Sequence, residues 1–324
     1  MAIICSEIDL AKTEAHNSVT KAPLDFVYYL EAKRLLVDEH LRNALNLADG
    51  CPPALLEALR YGLLAPGKRL RPILVMMAAE ACGGCDSEAM PAACAVEMVH
   101  AYSLIHDDLP AMDDDDLRRG QPTCHKKFGE ALAILAGDAL LTLAFQVLAK
   151  GYPPATAAGC CRQLAIGAGA AGMVGGQVLD LAQETADQES NGNLEQLETI
   201  HATKTAALFR ACLQLGAWSV LGEKPGGPDP AILENLDGFG QCFGMLFQIT
   251  DDLLDVESTA AETGKRVQKD AARGKLTYPG LLGPAESHRR ALQLGQRAQE
   301  HLKPLGPYGE RLSALVPFIL ERKR

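Results

Sequence analysis

Long amphipathic segments separated by proline and glycine breakers are the feature of this sequence that most limits its fold. Apolar residues recur at positions i, i+3, i+4 and i+7, a spacing that places them on one face of a helix. The longest of these segments cover residues 90–106, 131–150, 194–221 and 231–256. The sequence lacks short alternating segments joined by tight turns, which are typical of strands. It therefore predicts an all-α fold.

The same pattern indicates how the chain is divided. Residues 1–22 are polar and show no helical period, so we expect a loose N-terminal tail before a single domain over residues 23–324. No repeat of about 20–50 residues interrupts that domain. Aromatic residues make up only 5% of the chain, and this low share also favours helices over a β-sandwich or barrel.

Charge and cysteine content limit the partners and the compartment. The net charge of -10 argues against a nucleic-acid partner, because nucleic-acid binders carry a basic surplus. No apolar run reaches about 18 residues, so we do not expect a membrane-spanning helix. The N-terminus lacks a secretory signal pattern, and we interpret the ten cysteines as reduced thiols. These observations predict a cytoplasmic protein.

The first acidic cluster follows an apolar helix. It consists of Asp107, Asp108 and residues 113–116. Acidic runs are usually solvated loops, but this helix is too apolar to lie at the surface, so we expect the carboxylates to point into a cavity. Arg118 and Arg119 follow directly and offer rigid donors for phosphate oxygens.

The second acidic cluster consists of Asp251, Asp252 and Asp255. Asp251 and Asp255 share one helix face, and Gln248 lies three residues earlier on nearly the same face. Carboxylates on an otherwise apolar helix are strongly disfavoured unless cations neutralise them. Mg²⁺ takes one or two protein carboxylates and completes its shell with water and phosphate oxygens. The two acidic clusters therefore predict two walls that hold Mg²⁺ and a diphosphate between them.

Short basic segments offer further phosphate ligands, although each alone is more often a solvated surface. Residues 67–72 read GKRLRP, with three cations in four positions. Lys204 and Thr205 stand at the start of an apolar helix, and Lys265 and Lys275 follow the second acidic cluster. Together with two metal sites, these segments are consistent with a phosphate-binding pocket.

The chain resembles trans-isoprenyl diphosphate synthases, and most closely bacterial-type farnesyl and geranylgeranyl diphosphate synthases. The resemblance runs from about residue 23 to the C-terminus. It rests on DDLPAMDDDDLRRG and FQITDDLLD, with GKRLRP, MVGGQVLDL, HATKTAAL and GKLTYP in the expected order. The extended N-terminus and the segment FRAC at residues 209–212 depart from the family pattern. The resemblance implies a helical bundle around a deep central cavity, and a homodimer packed through helices.

The resemblance also implies a reaction and its residues. Isopentenyl diphosphate condenses with dimethylallyl and then geranyl diphosphate, with Mg²⁺ as cofactor and three ions in the loaded site. The implied metal ligands are Asp107, Asp108, Asp113, Asp251, Asp252 and Asp255. The implied ligands of the allylic diphosphate are Arg118, Lys204, Lys265 and Lys275. The implied ligands of isopentenyl diphosphate are Lys68, Arg71, His100 and Arg119. Thr205 and Gln248 are expected to face the allylic cation.

Product length is expected to depend on a side chain below the first acidic cluster. Helix geometry favours Ser103, four residues before Asp107, because it faces nearly the same way. The family pattern instead places the bulky, length-limiting residue at the fifth position, Tyr102, and we follow the family. An aromatic floor at this depth implies farnesyl diphosphate as the main product and geranylgeranyl diphosphate as the alternative.

Two other functions are less favoured. A class I terpene cyclase also ionises a diphosphate, but it needs neither the metal-free basic site nor the second acidic cluster. A regulatory subunit without catalytic activity would be expected to have lost one acidic cluster, and both are present here.

Overall fold

The computed structural model describes residues 22–48, 50–184, 193–257 and 276–322. Within these ranges the chain is almost entirely helical, and the predicted all-α fold is confirmed. The exception is a short antiparallel ribbon, in which β1 (Leu117–Arg118) pairs with β2 (Gln121–Pro122). The predicted N-terminal tail lies outside the described residues except for Ala22, where the first helix begins. Lys265 and Lys275 also lie outside them.

Fourteen α-helices lie within the described ranges. In chain order they are α1 (Ala22–Ala44), α2 (Pro53–Leu63), α3 (Leu70–Ala81), α4 (Asp86–Asp107), α5 (Cys124–Phe128), α6 (Glu130–Gly151), α7 (Pro154–Ala168), α8 (Met173–Glu184), α9 (Leu194–Ile200), α10 (Ala207–Leu221), α11 (Pro230–Glu257), α12 (Tyr278–Leu282), α13 (Pro284–Leu302) and α14 (Glu310–Leu320). A π-helix, His201–Ala206, joins α9 to α10, and 3₁₀ segments follow α1 and α13. The four long segments selected from the sequence are all helical.

Helix α10 is the central element of the bundle. Almost all of its residues are buried, so it presents no polar face to solvent. It packs against α3, α4, α7 and α11. Because α4 carries the first acidic cluster at its C-terminal end and α11 carries the second, packing on one central helix holds both clusters in fixed positions.

Two buried glycines bring the π-helix close to its neighbours. A Cβ atom at Gly176 of α8 would lie 2.1 Å from the backbone nitrogen of Lys204. A Cβ atom at Gly244 of α11 would lie 2.6 Å from the Cα atom of Ala206. Any side chain at either position would push the helices apart. The glycines therefore fix the π-helix directly between α8 and α11.

Two helical stretches have the length and hydropathy of a membrane-crossing helix. They are Glu130–Gly151 and Pro154–Gln183, and 44% and 39% of their most apolar windows are buried. Core helices of globular proteins show the same composition. Helix α6 also packs closely on α4, so these stretches are only weak support for a membrane span.

Candidate active site

The first acidic cluster begins at the C-terminal end of α4. Asp107, the last residue of that helix, is half-buried, whereas Asp108 is only 3% exposed. Arg118 on β1 forms an ion pair with the Asp108 carboxylate. Its Nε and Nη2 atoms lie 2.8 Å and 2.7 Å from the Oδ1 atom of Asp108. The backbone N–H of Asp113 donates to the carbonyl of Asp107 at 2.8 Å, which folds the acidic loop back over the helix end.

The ionisation of Asp107 indicates a site that needs cations. Burial is the largest cause that raises the pKa of this carboxyl to about 6, and the charges of nearby Asp113 and Asp108 contribute in the same direction. Lys204 and Arg118 act in the opposite direction, since their positive charges favour the ionised form. Among the described residues, none donates a hydrogen bond to the Asp107 carboxylate. Within the described ranges, the carboxylate therefore lies among charged groups that do not bond to it directly.

In the second acidic cluster, the two adjacent aspartates differ in exposure. The Asp251 side chain is 60% exposed, whereas Asp252 is 3% exposed. One oxygen of Asp252 accepts a hydrogen bond from Nε2 of Gln248 at 2.9 Å. The other accepts from the backbone N–H of Tyr278, at the start of α12, at 3.0 Å. Asp255 is half-buried one turn after Asp251. Since both oxygens of Asp252 are bonded within the fold, Asp251 and Asp255 are better placed to bind metal.

The π-helix links the two clusters. The hydroxyl of Thr205 donates to Oε1 of Gln248 at 3.1 Å, and Gln248 in turn donates to Asp252. The Nζ of Lys204 lies 2.5 Å from Oδ2 of Asp180 on α8 and is close enough to lower the pKa of Asp107. The structure thus brings together Lys204, Thr205 and Gln248, and their role in binding substrate stays a prediction. π-Helical turns are frequent at functional sites.

Sequence reasoning missed Asp180 as the partner of Lys204. It lies in the segment MVGGQVLDL, which was recognised as a family signature without a role for its residues. The same segment contains Gln177, whose amide nitrogen and oxygen are both buried and find no hydrogen-bond partner among the described residues. The pairing depends on the close approach of α8 to the π-helix, and no local pattern in the sequence shows that approach.

The three cations of GKRLRP divide into different roles. Arg69 is buried and bonds to Asp38 at 2.8 Å and to Glu97 at 2.7 Å, so its function is to hold the loop before α3. Lys68 is exposed. The guanidinium of Arg71 stacks on the ring of Phe209 at 4.8 Å, and its Nε is buried without a partner.

His100 and Arg119 lie beside Arg71, as the predicted isopentenyl diphosphate site requires. Nη1 of Arg71 is 3.4 Å from Nε2 of His100. Burial, together with the cations Arg71, Arg119 and Arg118, lowers the pKa of His100 well below its usual value, so this imidazole is neutral at pH 7. Arg119 bonds to the carbonyl of Pro66 at 2.5 Å. The basic residues from the loop before α3 and from the ribbon thus form one positive region.

Tyr102 lies on α4 and packs against a residue of the same helix. Its side chain is buried, and its ring packs edge-on against His106, with ring centroids 5.7 Å apart. His106 reaches the carbonyl of Ile134 on α6 at 3.1 Å. Burial and the charge of Asp107 raise the pKa of the Tyr102 phenol, so the ring also lies near the first acidic cluster. Ser103 is half-buried and donates to the carbonyl of His100.

A cavity of about 860 Å³ lies elsewhere, between α9, α11 and α13. It includes none of the predicted site residues, and Arg290 in its wall is already paired with Glu198 at 2.6 Å. A smaller cavity of about 50 Å³ contains Asp108, Arg118 and Arg119. The chemistry therefore identifies the site better than cavity size does, and the depth of the predicted central cavity stays a prediction.

A further group of ligands was not predicted. Asp114, Asp116 and His125 offer ligand atoms within 4.8 Å of one another. Both aspartates are exposed, and Asp116 already pairs with Lys126 at 2.7 Å. These contacts fit a solvated loop as well as a metal site.

The donors of the two acidic clusters fit Mg²⁺. The aspartates of both clusters offer carboxylate oxygens, which hard cations such as Mg²⁺ prefer. The raised pKa of Asp107 means that burial and neighbouring carboxylates disfavour its charged form, and a cation bound there would favour that form. Asp107, Asp113, Asp251 and Asp255 are the residues best placed to hold the metal.

Comparison with known proteins agrees with this chemistry. A family model described as Polyprenyl synthetase matches residues 52–303. Geranylgeranyl pyrophosphate synthase 7 of Arabidopsis thaliana, a chloroplastic protein, is 47% identical over 317 residues, which cover 97% of this chain and 89% of that protein. The heterodimeric geranylgeranyl pyrophosphate synthase large subunit 1 of the same plant is 45% identical, over 97% of this chain and 82% of that protein. The apo crystal structure of an FPP/GFPP synthase from Zymomonas mobilis superposes with a TM-score of 0.80, at 34% identity, over 92% of this chain and 99% of that one.

Proposed function

The chain belongs to the polyprenyl synthetase family of trans-prenyltransferases, and from that premise we propose that it makes geranylgeranyl diphosphate from isopentenyl diphosphate and allylic diphosphates. The observation that carries the product assignment is the identity of 45–47%, over 97% of the chain, with two proteins named geranylgeranyl pyrophosphate synthases. The packing of Tyr102 on His106, whose own ring reaches α6, supports it, because Ser103 is then the smaller side chain one turn before Asp107.

The residues of the site suit head-to-tail prenyl transfer. The C–O bond of the allylic diphosphate breaks, and the electron pair leaves with the diphosphate. The alkene of isopentenyl diphosphate attacks the resulting cation, and a proton is then lost to the released diphosphate. Mg²⁺ held by the two acidic clusters, three ions in our proposal, supplies positive charge that stabilises the leaving diphosphate. Lys204 and Arg118, with Lys265 and Lys275, bind that diphosphate.

The chain's neutral groups near Lys204 are placed to face the allylic cation. Because Gln248 donates its amide N–H to Asp252, its carbonyl oxygen is turned toward Thr205. The hydroxyl of Thr205 donates its hydrogen to that carbonyl oxygen, so the lone pairs of the hydroxyl oxygen can face a positive charge. Oxygens oriented in advance stabilise a cation without reorganising during the reaction.

The second substrate is bound without metal in this proposal. Lys68, Arg71 and Arg119 carry the positive charge, and neutral His100 orients Arg71. The Arg71 guanidinium is stacked on Phe209 and therefore lies in a fixed plane, which suits two-point binding of a phosphate.

Farnesyl diphosphate is the second candidate product. The buried ring of Tyr102, within electrostatic range of Asp107, favours it, since a large side chain here could block a longer tail. The Zymomonas mobilis neighbour is also named as an FPP/GFPP synthase.

Product chromatography tests both candidates. The purified protein is incubated with dimethylallyl and isopentenyl diphosphates and Mg²⁺, with and without excess chelator. We expect mainly twenty-carbon product, none in chelator, and a shift to fifteen carbons in Ser103→Phe, while Tyr102→Ala keeps the wild-type product. A wild-type product of fifteen carbons that lengthens in Tyr102→Ala would instead support farnesyl diphosphate and the aromatic floor.

The assembly and location are proposals as well. Exposed apolar side chains on α6, α7 and α8, among them Leu135, Ile166 and Val178, support a homodimer through these helices. One relative is named as a heterodimeric large subunit, so a second kind of chain could occupy the same face. Light scattering of the purified protein tests the homodimer. A cytoplasmic location stays a prediction, and the plant relatives are named as chloroplastic.

A further inference from the structure

The C-terminal end of the described chain lies on the second acidic cluster. Arg322 follows α14 by two residues, and its side chain is only 9% exposed. One nitrogen of its guanidinium, Nη2, reaches three acceptors on a single turn of α11. These are Oδ1 of Asp251 at 3.1 Å, Oγ1 of Thr250 at 3.2 Å and the carbonyl of Phe247 at 3.3 Å.

An aromatic ring fixes the position of this guanidinium. Its Cζ lies 4.4 Å from the ring centroid of Phe247, and the Phe247 ring packs on Phe209 at 5.2 Å. Arg71 stacks on Phe209 in turn. Two arginines therefore stack on a pair of neighbouring rings. Such stacking is typical of arginine and reduces its freedom before any ligand arrives.

We propose that Arg322 is the resident counter-ion of Asp251 and competes with the divalent cation for that carboxylate. This inference rests on the proposed function, because it takes Asp251 to be a metal ligand. Arg322 is then a positioning residue: it sets how tightly the second acidic cluster binds metal, and its release couples metal binding to the C-terminus.

Electrostatics favours competition over joint binding. The guanidinium hydrogen-bonds to one Asp251 oxygen, and a divalent cation on the same carboxylate would lie within a few ångströms of a like charge. Arg71 is also close enough to interact with the charge of Asp251. Asp251 therefore keeps a positive neighbour when Arg322 leaves.

The two acidic clusters differ in this respect. Asp107 receives no hydrogen bond from any described residue, whereas Asp251 is already neutralised by Arg322. The inference therefore predicts that loss of Arg322 strengthens metal binding at the second cluster and leaves the first unchanged.

Mn²⁺ and inorganic pyrophosphate are the probes for the test. The Mn²⁺ affinity of the full chain, with pyrophosphate present, is measured by calorimetry and by the paramagnetic resonance of free Mn²⁺. Arg322→Gln keeps a donor but removes the charge, and Arg322→Lys keeps the charge. Arg289→Gln is the control, since Arg289 is exposed on α13 and pairs with Glu286.

We expect Arg322→Gln to bind Mn²⁺ about two- to five-fold more tightly, the effect of losing one partly exposed ion pair. Arg322→Lys should lie between it and the wild type, and Arg289→Gln should match the wild type. Hydrogen exchange in residues 317–322 should rise on addition of Mn²⁺ and pyrophosphate in the wild type, but should already be fast in Arg322→Gln.

Equal or weaker Mn²⁺ binding by Arg322→Gln would overturn the inference and leave the proposed function intact. Weaker binding would mark the guanidinium as a ligand of the diphosphate instead. If the wild type binds no Mn²⁺ in the presence of pyrophosphate, the metal site itself fails, and the inference fails with it.

Discussion

Both acidic clusters contain an adjacent pair of aspartates, and in each the first residue is accessible while the second is buried. Asp107 is half-buried and Asp251 is largely exposed, whereas Asp108 and Asp252 are each 3% exposed. The buried members are bonded within the fold. In each Asp-Asp pair, the first carboxylate is thus available to a ligand and the second holds the fold together. This division follows because adjacent residues on a helix point about 100° apart.

The buried members differ in what they hold. Asp108 binds the charged fork of Arg118, so it positions a residue that we assign to the diphosphate. Asp252 binds neutral donors, the amide of Gln248 and the backbone N–H of Tyr278. Loss of Asp108 would leave a partly buried positive charge without its partner, but loss of Asp252 would leave only unpaired neutral groups. The first cluster is therefore expected to be more sensitive to that loss.

The largest predicted effect concerns the accessible members. Asp107→Ala and Asp251→Ala should each lower kcat by at least about 10²–10³, because each removes an electrostatic stabiliser of the leaving diphosphate. Steady-state kinetics at saturating Mg²⁺ measures the loss, and circular dichroism checks that the helical fold persists. A near-normal kcat in either variant would remove that residue from the mechanism.

Next come the buried members, which should affect stability. Asp108→Ala should lower the free energy of unfolding by about 2–3 kcal/mol. It leaves the positive charge of Arg118, whose side chain is 32% exposed, without its ion-pair partner. Asp252→Ala should cost about 1–2 kcal/mol through two lost hydrogen bonds. Urea unfolding measures both, with Glu234→Ala, an exposed site on α11, as the control. Equal losses in the two aspartate variants would contradict the distinction between charged and neutral partners.

The raised pKa of Asp107 predicts a pH dependence in the first cluster. An acid whose pKa rises from 3.8 to about 6 on folding adds stability below pH 3.8, and that contribution is lost as the pH rises through about 6. The free energy of unfolding of Asp107→Asn should therefore exceed that of the wild type by roughly 1–2 kcal/mol at pH 7.5. This difference between the two proteins should become smaller below pH 5. Urea unfolding across this range is the measurement, and a gap that does not change with pH would contradict the assignment.

The smallest predicted effect concerns the link between the clusters. Thr205→Val removes the hydroxyl that bonds to Gln248, and one hydrogen bond of about 0.5–1.5 kcal/mol corresponds to a roughly two- to ten-fold loss in kcat/KM. Thr203→Val is the matched control on the same π-helix, because its hydroxyl bonds only to carbonyls one turn back. Equal losses of kcat/KM in Thr205→Val and Thr203→Val would show that the hydrogen bond from Thr205 to Gln248 does not contribute to the reaction.

Local patterns predicted the helices and the acidic clusters, but not the contacts that divide their roles. The periodic apolar segments were long enough to fix α4, α6 and α11. Arg69 and Arg71 lie two residues apart in a basic run. Arg69 forms ion pairs with Asp38 and Glu97, whereas Arg71 stacks on Phe209. That difference depends on helices far away in the chain, and no spacing rule reveals it.

The same limit applies to long-range partners. Asp180 meets Lys204 only because the small Gly176 lets α8 approach the π-helix. Arg322 reaches Asp251 across 71 positions of sequence, and the only local signal was a basic C-terminal end. Asp252 and Asp108 stood as metal ligands by resemblance, and their burial became visible only in the folded chain.

Mn²⁺ binding in the presence of pyrophosphate, measured in four asparagine variants, tests the division of roles most directly. The account predicts that Asp107→Asn and Asp251→Asn lose metal affinity. Asp107→Asn should lose no free energy of unfolding, and Asp251→Asn should lose only the small contribution of its partly exposed ion pair with Arg322. It predicts that Asp108→Asn and Asp252→Asn lose stability and, where folded, still bind Mn²⁺. Wild-type Mn²⁺ affinity in Asp107→Asn or Asp251→Asn would contradict the account. Loss of Mn²⁺ binding in Asp108→Asn or Asp252→Asn without a loss of stability would contradict it as well.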